Sequence, residues 1–512
     1  ELKPQPGDLE LYKTRFSGFY ETDLDARLKK AGAKYLIVTG CTTSVCVDST
    51  VRDAMFRDYL CVLLADCMSE PIGHGLSRSN HDASLLSVEV LLGWVMCLSK
   101  RTEYGVFQTI RADTPISRRV RHPFDRFYNF FSRSAWTVHD LAHQMAVALV
   151  VRLNPRGRLY LVVDDTLLHK RGKHVYGLGW FRDAVASTAK RVATASGNHW
   201  VVVGLAICIP GTSKIYCLPI HAMLHLAGKN HKSEATLAKE MLQDILGWFP
   251  DRKLVFIGDG AYSAKNLLGD LDPRVTYVGV MRADATIYDP IVPKQSKSKR
   301  GPKPDKGPRL PNPKEAVKKA DGNRSGRGPW AWQTVKARAY GVTRKLRVLS
   351  FRAVWPEVHG LVPILVVLVR DPLGKLQDKY LFTTDLDADL SWVISTFSRR
   401  WSIEVAFKSS KQVMKIQSPQ HWCQQSIEKL SPWVWLMQSA ISLWYFTEGR
   451  KLPAAQAARR RFGVWDTEWS LAHMLRILRT AILEDTINPK SATKADLCQL
   501  LDDLENYLNL AA

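Results

Sequence analysis

Four acidic side chains stand where carboxylates could share a divalent cation. Asp164 and Asp165 follow the apolar run Leu159–Val163 (LYLVV), and Asp259 follows Leu254–Ile257 (LVFI) inside Gly258-Asp259-Gly260. Two apolar strands that each deliver a carboxylate at the C-terminal end could place both in one crevice. The plainer reading is a set of separate turn and capping aspartates. Glu404 lies in Ser391–Ile416, a stretch of helical spacing that Ser418-Pro419 would stop. At about 100° per residue, with Glu404 at 0°, Phe397 falls near +20°, Arg400 near −40°, Lys408 near +40° and Lys411 near −20°. One narrow face thus carries a carboxylate flanked by three cations, while Ile403, Ala406, Val413 and Met414 lie elsewhere and can pack. Ion pairing along the helix is the bland account. It is worth only a few tenths of a kcal/mol, roughly, and leaves the cation surplus on that face unexplained. A site for both metal ions and phosphates needs this mixture, with Glu toward the metal and Arg and Lys toward phosphate.

A second candidate is Cys46. It follows the run Tyr35–Gly40 (YLIVTG) and would sit near the first turn of a helix over Val45–Tyr59, where the helix dipole favours a thiolate. A small core residue is the competing reading.

The elements that must position these groups alternate. Asp23–Ala31 and Val45–Tyr59 have helical spacing, and Tyr35–Gly40 and Leu60–Ala65 are short apolar runs, which predicts parallel strands with crossover helices. Further on, Leu159–Val163 is apolar enough for a strand buried on both faces. Trp200–Ile209, Lys214–Ile220, Leu346–Phe351 and Leu361–Val369 also read as strands. Helices are predicted around Val138–Val151, over Ser233–Trp248 and from near Ser263. Trp433–Phe446 reads as an apolar helix too short and too polar, with Gln438 and Ser442, to span a membrane. A capping box at Thr493–Asp496 would open a last helix bearing Leu497, Leu500, Leu501, Leu504 and Leu508. Phe124, Phe127, Tyr128, Phe130 and Phe131 could stack on bases, although a cluster beside a helix is more often core.

Charge then bounds the partner. The 512 residues carry 72 Lys and Arg against 49 Asp and Glu, a formal charge of +23, which points to a polyanion. The excess is not spread evenly. Residues 1–98 are net −3 and residues 99–512 net +26, a break that suggests two proteins joined near Trp94–Lys100. The densest run, Lys294 to Arg327, has 12 basic and 3 acidic residues, and its Pro and Gly predict a mobile basic loop without regular structure. Such a loop is either a solvated linker or a tracker of DNA phosphates. With 46% apolar residues the chain can build a core, so a largely disordered protein is excluded. Nine Cys without a CxxC pair argue against a disulfide scaffold or zinc ribbon and for a reducing compartment. No apolar run reaches about 18 residues. The opening ELKPQPGD is no signal peptide, and the chain reads as processed or cut short.

Two resemblances organise these observations. KTRFSGFYETDLDARL, YLIVTGCTTSVCVDSTVRDA and HDASLLSVEVLLGWV together resemble the C-terminal half of an isochorismatase-like cysteine hydrolase, nearest the ureidoacrylate amidohydrolase branch. That resemblance implies Cys46 as nucleophile, Lys13 as its cationic partner, and a cis peptide between Thr42 and Thr43. The family's general-base Asp lies on a first strand well before the Lys. Twelve residues precede Lys13 here, so the segment reads as an incomplete remnant, expected to be inactive.

FSRRWSIEVAFKSSKQ resembles the Y-(2)-R-(3)-E-(6)-K signature of DDE-type insertion-sequence transposases, met by Phe397, Arg400, Glu404 and Lys411, with Phe in place of Tyr. VVDDTLLHKRGKHVYG and VFIGDGAYSAKNLL resemble that group's two Asp motifs. The resemblance spans about 99–450 and implies catalytic, metal-holding Asp165, Asp259 and Glu404, with Asp164 as rival for the first place. It also implies Arg400, Lys408, Lys411 and Phe397 on the DNA, and Mg²⁺ (or Mn²⁺) as cofactor. Water would attack in the first cut and the freed 3′-hydroxyl in strand transfer, without a general-base His. His169, His174 and His199 near the first Asp motif are read as ordinary surface or core residues before DNA contacts.

The expected fold class is α/β. A ribonuclease-H-like core with a β-rich insertion would follow an incomplete, Rossmann-like three-layer α/β/α fragment. The expected division is 1–98 hydrolase, 99–153 helical and aromatic, 154–288 first part of the core, 289–390 basic loop and β-rich insertion, 391–420 Glu helix, and 421–512 helical. The expected function is a transposase cutting and joining the DNA ends of its own element. The expected partners are element ends and target DNA, with a homodimer in a synaptic complex as one option, no membrane, and a cytoplasmic, nucleoid-associated location. The alternative is a cysteine hydrolase acting on a small amide such as ureidoacrylate.

Overall fold

The computed structural model describes residues 7–55, 57, 59–69, 90, 94–97, 129–133, 136–183, 186–187, 191–208, 214–228, 231–290, 305–374, 376–456 and 470–486. The chain divides into two compact units, Glu1–Ser134 with Thr486–Ala512, and Ala135–Asp485.

In the first unit, α1 (Leu24–Lys30) precedes β1 (Tyr35–Cys41), and α2 (Asp48–Met55) crosses over to β2 (Leu60–Ser69). The two strands are parallel, with Tyr35 opposite Leu60 and Val38 opposite Leu63, as the alternation of elements predicts. Phe19, Ala54 and Tyr59 form one buried cluster, and Val47, Val51 and Met68 another. A non-proline cis peptide joins Cys41 to Thr42, one residue earlier than expected, where β1 ends.

Among the described residues the second unit is built on a ten-stranded mixed sheet. Within it, the interior strand β3 (Leu159–His169) owes its place to Leu159, Leu161, Val162 and Val163, all fully buried. Burying each such side chain contributes about 1.5–3 kcal/mol. β3 is antiparallel to β5 (Thr194–Cys208) along nine residues and parallel to β7 (Leu254–Ile257) along four. It therefore continues well past the end of β7. That corrects the expectation that Asp164 and Asp165 end their strand: they lie mid-strand because β5 goes on pairing to His169. The early stop of β7 leaves the rest of β3 without a paired strand on that side among the described residues. β4 (Gly179–Arg182) and β6 (Ile215–His225) share the other edge of β5, and β8 (Val275–Val280) runs parallel to β7.

Beyond β8 the sheet continues through β12 (Lys379–Thr383), β11 (Pro363–Arg370), β10 (Val342–Val354) and β9 (Gln333–Ala339), all antiparallel. β10 and β11 are the strands read from Leu346–Phe351 and Leu361–Val369, and β9 and β12 were not read from sequence. The basic run is not wholly irregular. Residues 294–304 lie outside those described, but Pro313–Gly322 is a helix, α5, that follows α3 (Val138–Leu153) and α4 (Glu234–Trp248). Asn312 caps α5, Glu315 completes a capping box, and Pro313 supplies the first-turn φ. Ala316, Val317 and Ala320 are buried, which offsets the charge around them. Pro and Gly therefore bounded a helix here rather than forbidding one.

Ser391–Ile416 is also not one continuous helix. α6 (Leu390–Ser398) ends before Arg399-Arg400, and α7 (Trp401–Gln412) begins after them. Ile403, Ala406 and Met414 are buried, as their positions off the charged face require. α8 (Gln424–Thr447) is longer than expected and contains Pro432, while α9 (Leu471–Thr486) follows the undescribed residues 457–469. Among the described residues no helix is long and apolar enough to cross a membrane. The capping box at Thr493 and the leucines of the last expected helix lie outside the described residues.

Candidate active site

Strand register brings the first two acidic motifs together. Val162 pairs with Ile257, so Asp164 and Asp259 each stand two residues further along adjacent parallel strands. Asp259 sits where β7 has ended, and its carboxylate also accepts the Ala261 amide at 2.8 Å, so it caps the following turn as well. From the helical side, Arg400 joins the set. Its Nη1 donates to Asp164 Oδ2 at 2.7 Å and its Nη2 to Glu404 Oε1. Asp164, the neighbouring Asp259, Arg400 and Glu404 thus converge on one side of β3. Lys170 fastens this geometry from the strand, donating to the carbonyls of Gln417 and Pro419 beyond α7. Gln438 of α8 fastens it from behind, accepting from Ser410 at 2.7 Å and donating to the Ala406 carbonyl at 3.3 Å.

Successive side chains of a strand face opposite sides of its sheet. Asp164 shares its face with Trp200, which packs edge-on against Trp435 of α8. Asp165 faces the other way, toward α4, where its Oδ2 accepts from His199 Nε2 at 2.7 Å. His199 in turn lies 3.1 Å from His225, Nδ1 to Nδ1, and His225 lies 3.4 Å from Glu234. The structure therefore separates the two rivals for the first carboxylate. Asp164 looks toward Arg400 and Glu404, and Asp165 looks toward a histidine cluster.

Burial pushes the Asp164 carboxyl up to about 7, with Asp259 and Asp165 adding to the rise and Arg400 opposing it. Burial works against the Arg400 charge, but Asp164 and Glu404 outweigh it and hold the guanidinium above its ordinary value. Beside them, the Tyr262 hydroxyl is buried with no hydrogen-bond partner among the described residues, and its pKa is raised by burial and by Asp165, Asp164 and Asp259. Crowded carboxylates, a half-neutralised buried Asp and an orphaned hydroxyl fit a hard divalent cation with oxygen ligands.

The remaining expected residues are dispersed. Phe397 is only 6% exposed and belongs to the core, which its place on the expected DNA face did not predict. Arg400, expected to reach phosphate, is committed to two carboxylates. Lys408 is exposed, and Lys411 is half-buried, its pKa lowered by burial against the pull of Asp183. His169 contacts Asp183 at 2.9 Å and His174 is exposed. Phe130 and Phe131 are buried against each other, while Phe124, Phe127 and Tyr128 lie outside the described residues. His225, Glu234 and Tyr262 were not singled out from sequence. Strand alternation around Asp165 could have raised His199, but the pairing register that selects it and His225 is not legible without the sheet.

In the first unit, Lys13 Nζ reaches Cys46 Sγ at 3.5 Å. Burial pushes the Cys46 thiol up, but hydrogen bonds from Thr42 and Lys13 outweigh it and leave the pKa below the ordinary value. Cys46 lies in a π-helical turn, Thr43–Val47, rather than in the first turn of an α-helix. The side chain of Thr43 lies outside those described.

Comparison with known proteins decides the family. A profile described as "DDE superfamily endonuclease" matches residues 87–344, half of the chain. The chain belongs to the DDE superfamily of endonucleases. The match contains Asp164, Asp165 and Asp259 and ends before Glu404. A second profile, "Isochorismatase domain", matches residues 1–99. Ureidoacrylate amidohydrolases from Variovorax paradoxus and Caulobacter segnis are 44% and 41% identical over 95 residues, 19% of this chain and 36% and 38% of theirs. The chain thus spans little more than a third of the length of these relatives. What they support is an isochorismatase domain at the N-terminal end of this chain, not the narrower placement as a C-terminal half. Among solved structures, a piggyBac transposase synaptic complex with hairpin DNA is 12% identical, covering 84% of this chain and 77% of that one, at a TM-score of 0.37. An isochorismatase-like hydrolase from Alkaliphilus metalliredigens is 40% identical over 14% of this chain and 38% of that one, at a TM-score of 0.13. Scores this low add nothing to the family assignment.

Proposed function

We propose that this DDE endonuclease is a transposase that cuts and joins the DNA ends of its own element. Asp164, Asp259 and Glu404 would supply its carboxylates, with Asp165 turned away toward His199. The observation that carries the reading is Arg400, which ties Asp164 of β3 to Glu404 of α7 beside Asp259 at the end of β7. Residues some 240 positions apart along the chain are thereby held in one acidic notch. Within the Asp pair, Asp164 is the better first ligand, because its side of the strand faces Glu404.

Mg²⁺ (or Mn²⁺) held by these carboxylates supplies Lewis-acid stabilisation of charge on the attacking and leaving oxygens of a phosphodiester. The chain's own residues do the positioning. Arg400 neutralises the cluster and orients Glu404. Asp164, half-protonated near pH 7, must give up its proton before it can bind a cation, so cation affinity rises as pH approaches 7 from below. Exposed Lys408 and half-buried Lys411 continue the same helix and offer charge to a phosphate backbone. The strand order β6-β5-β3-β7-β8 serves as a ribonuclease-H-like core, and β9–β12 as its β-rich insertion. DNA ends and target DNA are the partners, in a cytoplasmic, nucleoid-associated setting, with a homodimer in the synaptic complex.

For residues 1–98, Lys13 beside Cys46 favours a second reading, hydrolysis of a small amide such as ureidoacrylate. The test of the transposase reading is metal-dependent nicking of duplex DNA carrying the element's end sequence. The parent nicks, and Asp259→Ala and Glu404→Ala do not. If both variants nick as well as the parent, the site is misassigned.

A further inference from the structure

We propose that His199, His225 and Glu234 form a second metal site, for a borderline divalent cation such as Zn²⁺, on the face of the sheet opposite Arg400 and Glu404. Three rigid elements present the ligand atoms. His199 and His225 are directly paired across β5 and β6, and Glu234 opens α4, whose first turn is capped by Ser233. The two Nδ1 atoms are 3.1 Å apart, and Glu234 Oε1 lies 3.4 Å from His225 Nδ1 and 3.9 Å from His199 Nδ1. Tetrahedral coordination with bonds of about 2.0–2.1 Å sets ligand atoms roughly 3.3–3.4 Å apart, so the cluster needs only small adjustments.

The donor types choose the metal. Two imidazoles and one carboxylate suit Zn²⁺ and its first-row neighbours, whereas Mg²⁺ prefers oxygen and retains water. Asp165 supplies the outer support such a site requires. By accepting a hydrogen bond from the Nε2–H of His199 it favours the tautomer that leaves Nδ1 as a lone pair toward His225 and Glu234. Phe181 stacks on His199 with ring centroids 4.8 Å apart and lies 5.8 Å from His225, covering the cluster on one side. The competing account is a plain hydrogen-bonded trio, with the Nδ1 proton of His225 shared between His199 and Glu234. The proposal does not depend on the transposase reading, because none of its three ligands belongs to the Asp259–Glu404 centre.

The test is metal binding by the full chain in excess Mg²⁺, read by Zn²⁺ competition with a chromophoric chelator and by the visible spectrum of the Co²⁺ form. The expected result is one tight equivalent that survives in the Asp259→Ala, Glu404→Ala double variant. It is lost in His225→Ala and in Glu234→Gln, and weakened about 10–100-fold in Asp165→Asn. Binding that persists unchanged in His225→Ala and Glu234→Gln overturns the proposal. So does an equivalent that vanishes in the double variant, which would place the ion in the carboxylate centre. Should the histidine variant fail to fold, the Co²⁺ spectrum of the unsubstituted chain decides. Intense four-coordinate bands support the site, and a weak six-coordinate spectrum or none overturns it.

Discussion

Replacing Asp164 by Asn removes a buried carboxyl that the fold holds against ionisation, and the consequence can be worked from its pKa. The group rises from an ordinary 3.8 to about 7 because burial and the neighbouring Asp259 and Asp165 outweigh Arg400. A displacement of that size corresponds to about 4 kcal/mol at roughly 1.36 kcal/mol per pH unit. The sign follows from which state ionises first. Below 3.8 both folded and unfolded chains are protonated and the group contributes nothing against folding. Between 3.8 and about 7 the unfolded chain releases its proton first, so stability is lost as pH rises through that window. Most of the effect, about 3 kcal/mol, falls between pH 5 and pH 8. Urea unfolding without divalent metal, followed by tryptophan fluorescence, to which the buried Trp200–Trp435 pair contributes, reads it. Asp164→Asn should gain about 3 kcal/mol relative to the parent on going from pH 5 to pH 8. Parallel curves for the two proteins at both pH values would refute the buried, cation-ready carboxyl.

In nicking assays, Asp164→Asn should lose more activity than Asp165→Asn, since Asp164 faces Glu404; the reverse order would move the first ligand to Asp165. Changing Lys294, Lys297, Lys299, Arg300 and Lys303 to Gln should flatten the salt dependence of DNA affinity by up to about 0.9 for each phosphate no longer neutralised, roughly 4.5 at most. An unchanged slope removes that run from the DNA surface. Phe256→Ala, in a fully buried position on the strand that carries Asp259, should cost about 3–5 kcal/mol in urea unfolding. Lys13→Ala should slow alkylation of Cys46 near neutral pH by raising its thiol pKa, measured by mass spectrometry of the labelled peptide.

The sequence was most legible where one element decides its own structure. LVFI at Leu254–Ile257 is a strand with the expected limits, and Ser233 caps the helix read from its position. It was least legible where a neighbour decides. The length of β3 depends on how far β5 keeps pairing, which turned two strand-end aspartates into mid-strand ones facing opposite ways. The helical wheel drawn through Glu404 assumed an unbroken helix, yet the break at Arg399-Arg400 still leaves Arg400 bonded to Glu404 four residues on. The same wheel placed Phe397 on the charged face, but its side chain is buried in the core. Composition misjudged the basic run because three small apolar residues and an Asn-Pro start suffice to hold α5.

The central claim is that distant carboxylates share divalent cations, and anomalous diffraction from Mn²⁺-soaked crystals addresses it most directly. The account predicts manganese peaks at bonding distance, about 2.0–2.3 Å, from carboxylate oxygens of Asp164, Asp259 and Glu404. Manganese seated elsewhere, with those three side chains unliganded, would contradict it.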